Sequence, residues 1–170
     1  MSLPKIEEQF VKRVYENISE EFSQTRHSTW NRVKLFIDSL DSNSKLFEAG
    51  CGNGKNLSYR SDIKTFGCDI TEGFVDICVC KNLNVKLGDV TCLDYPNDYF
   101  DNSMSVAVLH HLSTKERRIK GIEELVRVTK EGGSIFIEVW AQEQKHNLNK
   151  DTEGMKKCKI KFGCENQDVY

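Results

Sequence analysis

The chain begins with apolar residues at helical spacing and continues with short runs of consecutive apolar residues. The first pattern is a stripe of apolar side chains every four residues, as on one face of an amphipathic helix: Ile6, Phe10, Val14, Ile18 and Phe22. A polar stretch over 23–28 interrupts this helix. A second stripe predicts another helix, which ends near Asp41: Trp30, Val33, Ile37 and Leu40.

Short apolar runs then alternate with helical patterns, and the runs predict five β-strands over 45–49, 64–69, 84–88, 102–109 and 134–140. Helices are predicted over 55–61, over 72–81 and after a capping box at Ser113–Glu116, the last ending at Gly132-Gly133. We expect this last helix to bury Ile119, Ile122, Leu125 and Val126. Strand–helix alternation predicts an α/β fold, a Rossmann-like three-layer α/β/α sandwich with a mainly parallel sheet.

The turn after the first strand is the most informative motif, and it reads Glu48-Ala49-Gly50-Cys51-Gly52-Asn53-Gly54. Glycines spaced in this way remove side chains where a ligand meets the backbone. A carboxylate inside the loop disfavours a diphosphate. It favours a ligand that carries a cation and an amino group, such as S-adenosylmethionine. A purely structural tight turn is the alternative for the loop taken alone.

Acidic residues also follow the next two strands. Asp69 ends the second strand and Asp89 follows the third, and the carboxyl ends of parallel strands meet at one edge of a sheet. We predict that Asp69 binds the ribose hydroxyls and that Asp89 accepts a hydrogen bond from the adenine amino group. Glu48 is predicted near the ligand's ammonium or sulfonium. For any one acid, a solvated strand end is the alternative.

Further positions along the same loops complete the predicted cofactor site. The backbone amide of Val90 is expected to face a ring nitrogen. Cofactor-binding roles are also assigned to Cys51, Asn53, Ile70 and Val108.

Composition restricts the remaining possibilities. The chain has 170 residues, of which 38% are hydrophobic and 29% charged, as in a soluble domain with its own core. A net charge of −2 does not by itself indicate nucleic-acid binding. No apolar run reaches the roughly 18 residues of a membrane span, so no membrane association is expected. The seven cysteines contain no C-x-x-C pair, and we interpret them as free thiols with no metal site.

Four stretches resemble one subfamily of methyltransferases, the eukaryotic wobble-uridine tRNA methyltransferases and the methyltransferase domain of the AlkB-like tRNA hydroxylases. They are Tyr15–Trp30, Ala49–Lys55, Val108–Thr114 and Val139–Gln144. The resemblance covers residues 8–145. Its most specific parts are Thr-Arg-His-x-x-Trp and Val-Trp-Ala-x-Glu-Gln.

The resemblance implies a class I methyltransferase fold and S-adenosylmethionine as cofactor. It implies methylation of the carboxylate of 5-carboxymethyluridine at the tRNA wobble position, giving the methyl ester. The implied partners are a tRNA anticodon loop and a small zinc-binding activator subunit, which would add a strand along 84–89. The implied location is the cytoplasm, with the nucleus as a second compartment.

A carboxylate acceptor is ionised at neutral pH, so no general base is assigned. Arg26 is predicted to hold that carboxylate, because guanidinium pairs with it bidentately. His110 and His111 follow the fourth strand and are candidates to donate to the substrate, and Trp140 is a candidate to stack on the uracil. The alternatives are a surface arginine, structural histidines and a core tryptophan.

The predicted organisation departs from the family at its C-terminal end. Residues 1–44 are expected to form helices that cap the cofactor site, and 45–145 the methyltransferase core. Residues 146–170 are polar and lysine-rich. The family's sheet usually ends in an antiparallel hairpin, which we expect to be missing, with 146–170 a truncated or partly disordered segment. Two other functions stay open: a methyltransferase for a small-molecule or protein carboxylate, and a non-catalytic module that binds cofactor or activator.

Overall fold

The computed structural model describes residues 3–140, so the predicted segment 146–170 and the end of the predicted core lie outside them. The five strands in this part are β1 Lys45–Ala49, β2 Lys64–Asp69, β3 Asn84–Leu87, β4 Phe100–Val106 and β5 Thr129–Glu138. They form one sheet in the order β3-β2-β1-β4-β5, and every pair is parallel. The predicted parallel α/β fold is confirmed.

The helices are α1 Lys5–Glu7, a π-helical turn Glu8–Lys12, α2 Arg13–Thr25, α3 Asn31–Asp38, α4 Glu72–Cys80, a 3₁₀ turn Leu109–His111 and α5 Lys115–Val128. The first three follow one another without a break, and we call residues 5–25 the N-terminal arm. Within 3–140, no helix is both long and apolar enough to cross a membrane.

Alternate residues of the central strands supply the cores on the two faces of the sheet, as the twofold repeat of a strand requires. Leu46 of β1 packs with Val33 and Ile37 of α3. On the other face, Phe47 stacks on Phe100 with ring centroids 4.7 Å apart, in a cluster that α5 completes. Since the side chains just named are at most 1% exposed, each contributes about 1.5–3 kcal/mol by burial.

The helix predicted over 55–61 is wrong, because this segment consists of consecutive turns. Two polar side chains of this segment form hydrogen bonds, one with a buried carboxylate and one with a backbone carbonyl four residues earlier. Asn56 donates to Glu48 at 2.7 Å, and the Ser58 hydroxyl donates to the carbonyl of Gly54 at 3.1 Å. Such side-chain bonds compete with regular helix formation.

The predicted strand over 102–109 ends earlier than expected. β4 stops at Val106, and Ala107 adopts a positive φ of 59°. A residue in this conformation turns the chain out of the sheet. Leu109–His111 therefore form a 3₁₀ turn beside the carboxyl edge.

The limits predicted for α5 are also corrected. Its N-cap is Thr114, whose hydroxyl accepts from the Arg117 N–H at 3.2 Å, while Ser113 instead donates to Glu7. The helix ends at Val128. The Gly132-Gly133 pair lies inside β5, where the pairing with β4 is irregular.

The buried face of α5 differs from the prediction as well. Ile119, Ile122 and Val126 are 45%, 41% and 57% exposed, whereas Leu125 is 1% exposed. Glu124 lies inward instead, because its carboxylate accepts the Leu93 N–H at 2.8 Å and pairs with a neighbouring arginine.

The N-terminal arm contacts the carboxyl edge of the sheet through two carboxylates. Glu16 accepts the first backbone N–H groups of α4, from Glu72 at 2.8 Å and Gly73 at 3.1 Å. Glu7 accepts both the N–H and the hydroxyl of Ser113, at 2.8 and 2.7 Å. These contacts fix the arm beside the loops that carry the predicted site.

Candidate functional site

The glycine loop lies between the carboxyl ends of β1 and β2. The N–H groups of Gly50 and Cys51 both donate to the carbonyl of Cys68, at 2.8 and 3.0 Å. The N–H of Gly52 donates to Asp69 Oδ2 at 2.8 Å. The loop and the second predicted acid therefore form one unit.

The three loop glycines all have positive φ angles, but the space beside them differs. A Cβ on Gly50 (φ 76°) would lie 2.3 Å from Val108 Cγ2, and one on Gly54 (φ 73°) would lie 2.4 Å from Leu83 Cδ1. A Cβ on Gly52 (φ 52°) would meet nothing within 4 Å. Gly50 and Gly54 are thus required by packing, whereas Gly52 leaves open space at the edge of the sheet.

Glu48 is enclosed directly beneath this loop. Its side chain is 1% exposed, and Oε1 accepts from Asn56 Nδ2 at 2.7 Å. Among residues 3–140, Oε2 has no hydrogen-bond partner. Burial raises the pKa of Glu48 to about 8, so a cation bound nearby would favour the charged form.

Asp69 lies at the end of β2, as predicted, and both of its carboxylate oxygens accept hydrogen bonds from backbone N–H groups. Oδ2 accepts from Gly52 and Oδ1 from the N–H of Thr71 at 3.0 Å. The side chain is buried, and burial raises its pKa. The N–H groups of Gly52 and Thr71 therefore fix the orientation of this carboxylate at the edge of the sheet.

Asp89 lies two residues beyond the end of β3 and is tied to α5. Its Oδ2 accepts from Arg117 Nη2 at 2.7 Å, and Oδ1 accepts from Thr91. Burial alone would raise the pKa of Asp89, but these hydrogen bonds outweigh it and hold the pKa below its usual value.

The other predicted cofactor contacts lie on the same loops. Cys51 and Val90 are buried, and Ile70 and Val108 are half-buried. Asn53 is buried, and its Nδ2 donates to the carbonyl of Arg26 at 3.0 Å. The structure thus brings all the predicted cofactor residues to one edge of the sheet.

The two histidines after β4 lie against the N-terminal arm. His111 Nε2 is 3.2 Å from the hydroxyl of Tyr15, and the two imidazole centroids are 4.2 Å apart. Burial lowers the pKa of His110 to about 4 and that of His111 to about 3. Both rings are therefore neutral at pH 7. Among the described residues, neither nitrogen of His110 has a hydrogen-bond partner.

The remaining predicted acceptor-side residues are solvent-accessible. Arg26 is exposed, and its guanidinium lies 5.3 Å from the centroid of the Phe22 ring. Trp140 follows β5 and is 42% exposed.

Sequence reasoning assigned no role at the site to Asn56, Glu7 or Arg117. One signal was available for Arg117. It lies in the first turn of α5, where the helix dipole disfavours a cation, so a carboxylate partner was to be expected. No comparable signal marks Glu7, whose partners lie more than 100 residues away.

Two observations fit S-adenosylmethionine. Gly52 leaves open space beside the backbone, and Glu48 offers a buried carboxylate oxygen to a cationic ligand. The order β3-β2-β1-β4-β5 reverses direction between β1 and β4, where ligands bind in such sheets. Together these features define a class I S-adenosylmethionine-dependent methyltransferase fold.

Comparisons with known proteins agree with this class. Residues 47–137 match a family model described as a methyltransferase domain. The chain therefore belongs to the methyltransferase domain family. The predicted cofactor, S-adenosylmethionine, is consistent with this family and with the site geometry.

Among curated proteins, the tRNA (carboxymethyluridine(34)-5-O)-methyltransferase of Arabidopsis thaliana is 48% identical over 84% of this chain and 35% of its own length. This chain thus spans about a third of that relative.

Two solved structures share the fold. A S-adenosylmethionine-dependent methyltransferase from Aquifex aeolicus has a TM-score of 0.62 at 21% identity, covering 77% of this chain and 76% of its own. The complex of the Haloferax volcanii Trm112 methyltransferase activator with a methyltransferase gives 0.63 at 19% identity, covering 78% and 59%.

Proposed function

We propose that this chain is the methyltransferase domain of an enzyme that esterifies the carboxylate of 5-carboxymethyluridine at the tRNA wobble position. The printed name of the Arabidopsis relative and the motif containing Arg26 support this substrate. The observation that supports the proposal most directly is that Arg26 is exposed while its backbone is hydrogen-bonded to the glycine loop.

Arg26 presents an exposed guanidinium from a backbone that is fastened to the cofactor loop. Its carbonyl accepts from Asn53, within the glycine loop, while its side chain remains accessible to solvent. Guanidinium binds carboxylates through two parallel hydrogen bonds. An acceptor bound to the Arg26 side chain would therefore be positioned relative to the cofactor, because the Arg26 backbone is hydrogen-bonded to Asn53 of the glycine loop.

The chemistry requires positioning rather than proton transfer. S-adenosylmethionine, when bound, supplies a methyl group on a sulfonium. The acceptor carboxylate is already ionised, so a new oxygen–carbon bond forms as the sulfur–carbon bond breaks, and no proton moves. Holding the acceptor in line supplies most of the rate enhancement. His110 is neutral at pH 7 and both its ring nitrogens are buried, so a hydrogen bond from this residue to the acceptor requires neighbouring residues to move.

The proposal is tested by incubating the chain and its activator with labelled cofactor and tRNA that carries 5-carboxymethyluridine. We expect an alkali-labile methyl ester on the tRNA. Arg26→Ala should lower the rate by about a hundredfold while cofactor affinity is kept, because the charged hydrogen bonds it removes are made to the acceptor. Arg32→Ala, which removes an exposed arginine of α3, is the matched control.

Absence of the ester from a protein that binds the cofactor would contradict the proposed substrate. Methylation of a free small-molecule or protein carboxylate without tRNA would favour the alternative acceptor. No turnover on either would favour a module that binds cofactor without catalysis.

We further propose that an activator subunit pairs with β3. This strand is an edge of the five-stranded sheet, and Leu87 on it is 52% exposed. An exposed strand edge can accept another strand through backbone hydrogen bonds. The structural neighbour solved as an activator complex supports a partner of this kind.

The pairing is tested with Leu87→Glu in a pull-down of the activator. We expect at least a tenfold loss of affinity, because a charge would be buried in the interface. Val126→Glu alters a similarly exposed residue of α5 and should not change binding. Equal capture of both variants would exclude β3 as the docking edge.

A further inference from the structure

The carboxylate of Asp89 is held on both oxygens yet keeps room for a ligand. Oδ1 accepts from the N–H and the hydroxyl of Thr91, at 2.9 and 2.8 Å. Oδ2 accepts from Arg117 Nη2 at 2.7 Å. A carboxylate offers about four acceptor positions, so one on Oδ2 remains. The side chain of Asp89 is 26% exposed, so the carboxylate is not sealed inside the fold.

Arg117 is itself fixed in orientation by other contacts. Its Nε donates to both oxygens of Glu7, at 2.9 and 3.1 Å, and Nη1 donates to Thr91 Oγ1 at 3.2 Å. The Glu7 side chain is 4% exposed and also accepts from Ser113. Because the guanidinium is planar, these bonds fix both its position and its plane. It forms a rigid bridge between the N-terminal arm and Asp89.

Helix stability does not account for this bridge. A cation in the first turn of α5 opposes the helix dipole. Partly buried ion pairs also pay a desolvation penalty that largely offsets their attraction. The effect of the bridge is instead to fix the orientation of the Asp89 carboxylate.

We propose that Arg117 is a positioning residue for adenine recognition: by holding Oδ2 of Asp89, it aims the remaining acceptor position at the exocyclic amino group of the cofactor's adenine. The site then selects adenine over a purine with a carbonyl at the same position. This inference rests on the cofactor of the family and is independent of the tRNA substrate.

The location of Asp89 supports this orientation. Asp69 and Asp89 follow adjacent strands at the same edge, and neighbouring strands are about 4.8 Å apart. A ribose held at Asp69 places the attached base toward β3, where Asp89 lies. A carboxylate suits an amino donor and repels a carbonyl oxygen.

The test compares two ligands by calorimetry with the full chain: S-adenosylhomocysteine and S-inosylhomocysteine, in which a carbonyl replaces the amino group. The unmodified chain should prefer the adenine ligand by at least about a hundredfold. In Arg117→Met this ratio should fall at least about fivefold, because Asp89 is no longer held in one direction. Arg118→Met removes the next arginine of the same helix, which donates to the carbonyl of Leu112, and should leave the ratio unchanged.

The ratio separates positioning from general support of the fold. If Arg117→Met weakens both ligands equally, the residue is a structural clamp and the inference is overturned. If this variant does not fold, Arg117→Lys replaces it. One ammonium cannot reproduce the guanidinium fork, so the ratio should again fall, and an unchanged ratio in the folded lysine variant overturns the inference.

Asp89→Asn tests the direction of the carboxylate itself. An amide can donate to a carbonyl, so this variant should shift the preference toward the inosine ligand. An unshifted preference means that Asp89 does not face the exocyclic group, which also overturns the inference. Since tRNA is absent from the assay, failure of the proposed esterification would not affect these results.

Discussion

At the scale of single residues, the loop glycines are of two kinds. Some are required because the fold leaves no room for a side chain, and one leaves the backbone accessible to a ligand. Gly50 has a positive φ and no room for a Cβ, because Val108 occupies that space. Gly52 also has a positive φ, but the space beside it is open. The same motif therefore contains two glycines required by packing, Gly50 and Gly54, and one, Gly52, that leaves the backbone accessible.

This difference leads to a testable contrast between Gly52→Ala and Gly132→Ala. Both positions have positive φ and nothing within 4 Å of the added Cβ. Each substitution should lower the free energy of unfolding by about 1 kcal/mol through backbone strain, measured by chemical denaturation. Calorimetry with S-adenosylhomocysteine should show at least a tenfold loss of affinity for Gly52→Ala alone. Equal affinities for the two variants would mean that the loop does not hold the cofactor.

The buried carboxyl of Glu48 predicts a specific pH dependence. Its pKa is raised to about 8, so between pH 4.5 and 8 the folded state keeps a proton that the unfolded state releases. Stability should therefore fall as pH rises through this window. Between pH 5 and pH 8, the free energy of unfolding of the unmodified chain should fall by about 3 kcal/mol relative to that of Glu48→Gln.

Denaturation of both proteins at several pH values provides the measurement. The neutral histidines, whose effect appears as pH falls below 6.5, are common to both proteins and cancel in the difference. Parallel stability curves would show that Glu48 is ionised in the free protein.

At the scale of elements, the strands were predictable and the inward face of α5 was not. Apolar runs predict the limits of β1, β2 and β3 closely, because consecutive apolar positions fit a strand buried on both faces. The limits of β4 and β5 are less accurate, and β5 begins at Thr129 instead of residue 134. The apolar stripe on α5 identified a helix, but of the residues it predicted to be buried only Leu125 packs on the sheet. The packed side carries Gly121, Glu124, Leu125 and Val128, and the bond from the Leu93 N–H to Glu124 forms only in the folded protein.

Adjacent alanine substitutions on α5 test this orientation. Leu125→Ala should lower the free energy of unfolding by about 2–5 kcal/mol, because it leaves a cavity in the core. Val126→Ala, one residue further along, should change it by less than about 0.5 kcal/mol. Urea denaturation distinguishes the two. Similar losses would mean that both sides of α5 are covered in solution.

At the scale of the whole molecule, the N-terminal arm connects elements that the sequence alone could not relate. Strand-end acids and the glycine loop predicted the cofactor edge, because parallel topology brings carboxyl ends together. The contacts of Glu7 and Glu16 depend on how the arm docks, and no local pattern encodes that geometry. That the predicted cofactor residues share one edge of the sheet was therefore predictable, whereas the arm's contacts with this edge required the structure.

Glu16→Gln tests how strongly the arm is held. The substitution weakens the acceptor for two backbone N–H groups of α4, so stability should fall by about 1 kcal/mol. Hydrogen exchange in Arg13–Thr25 should become faster. Glu20→Gln, at an exposed position of the same helix, is the control and should leave exchange unchanged. Equal exchange in both variants would show that the packing of Tyr15 and Phe22 against Phe74 holds the arm without Glu16.

The long-range bond between Glu7 and Ser113 has a consequence for biosynthesis. The two residues are 106 positions apart, and Glu7 also requires Arg117, 110 positions downstream. During translation the arm leaves the ribosome well before either partner exists, so the bonds of Glu7 form only after the start of α5 has been made. Glu16 can already hold α2 against α4 at that stage, whereas the first turns of the arm are fastened last. A nascent chain halted before α5 would therefore expose Glu7 and the turns around it without their partners.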